Sequence, residues 1–291
     1  MSYSNIVVTQ ETSLTSVQAP ALPYAPVQYE QRYVDQLNNI LRLYFNQIDT
    51  LIRQLKLSTS NTVALPFGAF HQDGVTTLSA NMTNVSTTAI QVASTANFLS
   101  AGTLLIESEF IKYTGKTSTT FTGITRGAYG STAAAHTAGV YVSEAIAVPS
   151  ATTSAALPMS ATDASNGVAI DGTDPSKIVF SQAGYYNIQF SAQLLSFDNA
   201  ADNVTLWIRQ NGTDVANSAG IGTVSAIHGG KPGATIISWN IILPITANQY
   251  VQVYFASDSG NTLAVTYPPG VSPTHPASPS VILTATFVSS L

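Results

Sequence analysis

The sequence runs to 291 residues without a single cysteine, and only 9% of it is Asp, Glu, Lys or Arg, about a third of the ~25% found in an ordinary soluble domain. With 45% hydrophobic residues it is too apolar for wholesale disorder, yet no apolar stretch approaches the ~20 residues of a spanning helix. A formal net charge of −5 supplies no basic patch for nucleic acid, and zero cysteine removes disulfides, zinc–thiolate sites and thiol chemistry together.

The N-terminal MSYSNIVVTQETS lacks the basic region and apolar core of a secretion signal. Residues 1–28 place Pro20, Pro23 and Pro26 at a period of three around Tyr24, which matches the three-residue turn of polyproline II. Either a loose N-terminal tail or an extended anchoring arm lying along a partner surface is expected there. Residues 29–57 contain no Gly or Pro and read as the one long helix. Val34, Leu37, Leu41, Tyr44, Ile48, Leu51 and Leu55 follow each other at alternating steps of three and four, an a/d heptad seam. Ile40, Phe45 and Ile52 widen the stripe beyond what two strands need, so a coiled coil of three strands or more is expected, with a helix packed on its own domain's core as the alternative. Four of the ten basic residues, Arg32, Arg42, Arg53 and Lys56, lie on this helix.

Everything beyond Ser58 reads as β structure. Residues 58–77 are taken as a linker and a first strand, the strand over 63–70. Residues 78–144 carry their own turn punctuation at Gly102, Gly115, Gly123, Gly127 and Gly130 and read as a small β module. From 145 to 291 strands recur at sandwich spacing: 177–180, 185–195, 204–210, 234–243, 249–256, 262–266 and 280–288. Asn211-Gly212 after VTLWIRQ is the strongest hairpin signal. The proline-rich stretch 266–280 is expected to be a long exposed loop. From Pro232 onward there is no Lys or Arg, and Asp258 is the only acid.

Two regions resemble known families. Gly184, Tyr186, Ile188, Phe190, Trp207, Asn211 and Gly212, with the apolar strand 280–288, resemble the trimeric jelly-roll heads of the complement-globular-head and tumour-necrosis-factor superfamily, in the divergent form carried by bacteriophage virion proteins. Glu109, Tyr113, Thr114, Gly115, Phe121, Thr122, Gly123, Arg126, Gly127, Gly130, His136 and Gly139 are similar to a small β module recurring in phage structural proteins. The helix resembles the one that opens many phage fibre-like proteins. The resemblance implies a mainly β chain with an arm, a coiled-coil helix, an inserted β module and a C-terminal jelly-roll β-sandwich, assembled as a homotrimer. The proline-rich loop 266–280 departs from the family pattern.

Candidate chemistry is sparse. His71 and Asp73 would share a face if their strand continues, and Glu107 with Glu109 forms a same-face carboxylate pair near Lys112 and Lys116. AIHGGKPG at 226–233 fails as a phosphate loop because Pro232 stands where Ser or Thr should hold magnesium. Asp171 with Asp174, and Asp198 with Asp202, offer oxygens to calcium but equally suit turns. No catalytic group, metal site or cofactor is expected. The expectation is therefore a non-enzymatic virion structural protein, assembled in the host cytoplasm and attached through its arm to tail, neck or capsid proteins. Its knob would contact a host-surface glycan or protein through His228, Lys231, Tyr267 and His275, with no membrane insertion. A capsid decoration or neck protein without a receptor, and a polysaccharide-degrading spike, are the alternatives.

Overall fold

The computed structural model describes residues 20–22, 27–28, 30–60, 65–148, 150–271 and 273–291, without the side chains of 53–60 and Val271. Pro23, Tyr24 and Pro26 lie outside the described residues, and Pro20 is half-buried in irregular chain. The chain divides into two units, residues 1–64 and 65–291.

In the first unit the helix spans Gln31–Ser60. The Glu30 carbonyl accepts from the Tyr33 and Val34 amides and opens the helix. Residues 58–60, expected to be linker, continue the helix, since no Gly or Pro stops it there. Val34, Leu37, Leu41, Tyr44, Ile48 and Leu51 are all half-buried along one stripe, while Phe45 and Ile52 are exposed beside it. The side chain of Leu55 lies outside the described residues. No described helix is long and apolar enough to cross a membrane.

The second unit is a β-sandwich with a smaller β module joined to it, all strand pairs being antiparallel. In one sheet, Gly184–Ser196 lies between Gly233–Ile245 and Val281–Ser289. Phe67–His71 runs beside the last of these, tied at its ends by Gln72 N–H to the Val281 carbonyl and Phe287 N–H to the Pro66 carbonyl, both 3.0 Å. Ala161–Asn166 pairs with its other edge. The opposite sheet orders Val168–Ile170, Ile178–Phe180, Tyr250–Ser257, Asp202–Gln210 and Gly220–Val224. Alternate residues of both sheets fill the space between them, with Phe180, Tyr186, Ile188, Phe190, Leu206, Ile208 and Phe255 in one buried cluster. Asn211 and Gly212 both have positive φ, 50° and 81°. Gln210 pairs with Thr213 across them, so the expected two-residue turn forms as the strand twist demands.

The module has its own core of Ile90, Leu104, Ile106, Ile111, Tyr113, Phe121 and Val142, but it is not a separate body. Its last strand, Tyr141–Ala147, pairs with Gly102–Ile106 and Val75–Thr77 and also with Thr262–Val265. That short strand in turn pairs with residues 194–196 of the long sandwich strand. The first strand of the sandwich is therefore shorter than the expected 63–70, and Val75–Thr77 already belongs to the module side. A third apolar cluster, Leu105, Phe110, Ala145, Leu195, Leu263 and Val265, covers the joint. Phe110 meets Phe197 of the sandwich edge-on, with ring centroids 5.1 Å apart.

The stretch 266–280 is not an open loop. Gly270–Val271 pairs with Thr274–His275, and Tyr267 bridges Ser278 through reciprocal backbone bonds of 2.8 and 2.9 Å. Its residues have few apolar side chains to bury, so backbone pairing of this kind does much to organise them.

One sheet crossing both cores implies cooperative unfolding of residues 65–291. Phe110→Ala should lower stability by about 3–5 kcal/mol. Urea denaturation followed by tryptophan fluorescence and by circular dichroism should still give coincident single transitions; separated transitions would show that the module and the sandwich unfold independently.

Candidate functional site

The sequence-predicted contact residues fall into two places. Tyr267 and His275 line one cleft of about 360 Å³ together with Gln193, Leu194, Ala234, Thr235, Ile236 and Ser278. The volume lies at the lower end of the ~300–1,000 Å³ typical of small-ligand sites. His228 and Lys231 instead face each other across an exposed two-glycine turn, joined by reciprocal backbone bonds of 3.0 Å. Both glycines of that turn carry positive φ, which makes it a hairpin tip and not a phosphate cradle.

The cleft is built where the 266–280 excursion folds back on the edge of the long strands. Gln193 holds the excursion down: its side-chain amide donates to Ser278 Oγ and to the Pro279 carbonyl, and its backbone N–H donates to Ser280. Tyr267 packs against the apolar cluster of the joint, which pushes its hydroxyl above the usual phenol range by burial. Among the described residues that hydroxyl has no hydrogen-bond partner. His275 Nδ1 donates to the Pro276 carbonyl at 2.8 Å. Its other nitrogen lies against Gly270, where a Cβ would come within 2.1 Å of it, so any larger residue at 270 displaces the ring. The lining thus offers an aromatic face, an imidazole, the three hydroxyls of Thr235, Tyr267 and Ser278, the Gln193 amide and an exposed isoleucine, with no carboxylate among them. Sequence reasoning found Tyr267 and His275 as loop aromatics, but nothing in the spacing marks Gln193, Thr235, Ile236 or Ser278 as their neighbours.

The carboxylates singled out in the sequence are elsewhere, and their arrangement differs from the expectation. Glu107 and Glu109 do not share a strand face. Glu107 sits in the turn between Gly102–Ile106 and Glu109–Tyr113 with φ 54°. Glu109 begins the second strand, fully buried. Lys112 and Lys116 do not neutralise Glu109. Arg126 does, through Nε and Nη2 at 2.7 Å to the two carboxylate oxygens. The Gly127 and Ala134 amides (3.0 Å each) and His136 Nε2 (2.8 Å) complete the set. His136 Nδ1 faces Glu107 at 2.7 Å, and Arg126 Nη1 donates to the Thr83 and Ser86 carbonyls. Burial alone would raise the Glu109 carboxyl; the bonds from Arg126, Ala134, His136 and Gly127 outweigh it and hold it at about 2. Glu109, Arg126, Gly127 and His136, four of the residues that carry the resemblance of the module, are one buried ion network. Arg126→Met should strand the Glu109 charge and cost about 3–5 kcal/mol in urea denaturation, and adding Glu109→Gln should recover part of that loss.

Glu144 is buried on the module's last strand. Gln72 Nε2 donates to one of its oxygens at 2.7 Å, and the Leu99 amide and the Tyr113 hydroxyl reach the other at 2.9 and 3.1 Å. Desolvation outweighs these bonds and the nearby Lys116, and its carboxyl is pushed up to about 7. The ordinary value is near 4.5, so the folded chain holds the proton more tightly than the unfolded one. This contribution to stability is full below about pH 4.5 and is lost as the pH rises to about 7. Glu144→Gln should remove that slope, a change on the order of 3 kcal/mol across the window, measurable as urea midpoints from pH 4.5 to 7.5.

Of the remaining acidic candidates, Asp171 and Asp174 are turn formers. Asp171 Oδ1 accepts from the Thr173 amide and hydroxyl and from the Asp174 amide, and Asp174 Oδ1 does the same for Ser176. Asp202 is buried and accepts the Ser196 and Thr262 hydroxyls, whereas Asp198 takes both its bonds from Asn261. Among the described residues no set of three or more His, Asp or Glu is arranged to hold a metal. His71 pairs with Asp163 at 3.0 Å instead of acting with Asp73, because its strand ends at His71. No protein-family model matches this chain, and no curated protein matches it either.

Proposed function

We propose that this chain is a non-enzymatic structural protein of a bacteriophage virion: a homotrimeric fibre, held to the particle by its N-terminal arm and displaying a jelly-roll knob for attachment to a host surface. The observation that carries the reading is the sheet of Gly233–Ile245, Gly184–Ser196, Val281–Ser289 and Phe67–His71. None of these four strands contains an Asp, Glu, Lys or Arg. Its outward face nonetheless leaves Ile236 (65%), Ile242 (56%), Ile282 (41%) and Tyr185 (41%) exposed, among Ser, Asn, Gln and Thr. Loss of charge together with exposed large apolar residues is the signature of a surface covered in the assembly.

The strand order supports the jelly-roll reading. In chain order the sandwich strands pass repeatedly from one sheet to the other, and the first, Phe67–His71, lies beside the last, Val281–Ser289. The half-buried heptad stripe of the helix supports a coiled-coil stalk acting with the knob, since three heptads alone are short for stable association. The Tyr267–His275 cleft and the His228–Lys231 turn are the contact surface of the knob. The cleft holds no carboxylate pair, which favours holding a ligand over hydrolysing one.

Sedimentation equilibrium decides the assembly: a mass near three times 30.5 kDa is expected, and the monomer mass sinks the architecture. Ile242→Glu should weaken association of the knob, and Leu41→Asp with Ile48→Asp should weaken that of the helix. Competition with phage adsorption decides the role. Purified trimers should block adsorption and His275→Ala trimers should block it less; trimers that neither bind cells nor compete reduce the function to decoration of the particle.

A further inference from the structure

The outward face of the opposite sheet is built differently. Trp207 and Tyr254 are cross-strand neighbours on Asp202–Gln210 and Tyr250–Ser257. Their rings lie 5.8 Å apart at 34°, both half open to solvent. Arg209, two residues on from Trp207 and therefore on the same face, sits 4.2 Å over the Tyr254 ring. One oxygen of Asp214 fixes both neighbours: Trp207 Nε1 donates to it at 2.7 Å and Arg209 Nε at 2.6 Å. The other oxygen of Asp214 has no partner among the described residues, and Arg209, which also bonds the Tyr254 side chain, keeps further N–H donors to offer. Asp214 is placed by the tight Asn211–Gly212 turn, so the group is rigid before anything binds.

Stability does not account for it. An exposed ion pair of this kind adds little to folding, in a chain whose residues 145–291 carry only three cations, Lys177, Arg209 and Lys231. Two of those three stand over tyrosines of this one strand, Lys177 over Tyr250 at 4.9 Å being the other.

We propose that Trp207, Arg209, Asp214 and Tyr254 form a binding platform for a neutral pyranose unit of a polysaccharide. The apolar C–H face of the sugar lies on the Trp207 indole, and adjacent hydroxyls are shared between the free oxygen of Asp214 and the terminal nitrogens of Arg209. A few fixed polar groups around an apolar surface are what such recognition needs. An acidic sugar is disfavoured, because Asp214 already balances Arg209 and its free oxygen repels a carboxylate. The platform lies on the sheet opposite the ion-free face, so an assembly through that face leaves it open. It is separate from the Tyr267–His275 cleft and does not depend on it.

The chain has two tryptophans, so Trp239→Phe leaves Trp207 as the only indole of the full-length protein. Its fluorescence is titrated with neutral hexasaccharides, namely α1,4- and β1,4-linked glucose, β1,3-linked glucose and β1,4-linked mannose, and with hexagalacturonate as the acidic arm. At least one neutral sugar should give a saturable change with Kd of about 0.1–10 mM, the weak range of single contacts that multiple copies amplify. Arg209→Ala should weaken it about tenfold or more. Asp214→Asn, which retains an acceptor for Trp207, should weaken it while leaving the Trp207 emission maximum in place. No response to any neutral sugar up to about 20 mM, a response to hexagalacturonate alone, or binding indifferent to Arg209→Ala overturns the proposal. Adsorption assays on His275→Ala are unaffected by any of these outcomes, so the cleft and the platform stand or fall separately.

Discussion

Four residues hold the larger unit together. Thr262–Val265 is buried along its whole length and is hydrogen-bonded on one side to the long sandwich strand and on the other to the last strand of the module. Beside the Phe110–Phe197 contact and the Gln72–Glu144 bond, it carries a single sheet from the sandwich into the module. With it, Leu263 and Val265 close the apolar cluster of the joint, and Thr262 delivers its hydroxyl to the buried Asp202 at 2.7 Å. The cleft depends on the same strand, because Tyr267 follows directly on it and is packed against that cluster. A strand this short is stable only because both of its neighbours are long and already paired elsewhere.

The second organising constraint is where the chain tolerates buried charge. The sandwich core is apolar apart from hydroxyls, amides and Asp202. The module, by contrast, buries two glutamates and treats them oppositely. Glu109 receives five donors and remains an anion, while Glu144 receives three and is pushed toward its neutral form. The difference lies in Arg126, a planar fork that meets both oxygens of Glu109 at once, against the more remote Lys116 near Glu144. Lys116 is committed instead to the Thr95 and Phe98 carbonyls.

Much of the sandwich was legible because its long strands alternate strictly. The spans expected at 185–195, 204–210, 249–256 and 280–288 differ from the strands found by at most two residues at either end. Gly220–Val224 and Ala161–Asn166 went unread because they are edge strands of small and polar residues, with few buried side chains to write an alternation into the sequence. The alternation also misled at Glu107, where a period of two was carried through a turn that positive φ interrupts. Arg126 lies 17 residues from Glu109, and no local period connects them. Tyr267 and His275 were legible as residue types on a loop, but their meeting in one cleft follows from a local pairing that no pattern announces.

A sheet whose four long strands carry no Asp, Glu, Lys or Arg responds to salt differently from a charged one. Between about 0.1 M and 1 M salt the screening length shrinks from ~10 Å to ~3 Å, and contacts that rely on opposite charges weaken accordingly. Apart from the His71–Asp163 pair at its edge, a face made of Ile, Tyr, Ser, Asn, Gln and Thr has no such charges to screen, and added salt, if anything, favours its apolar burial. Subunits joined through it would hold equally well in dilute and in briny water.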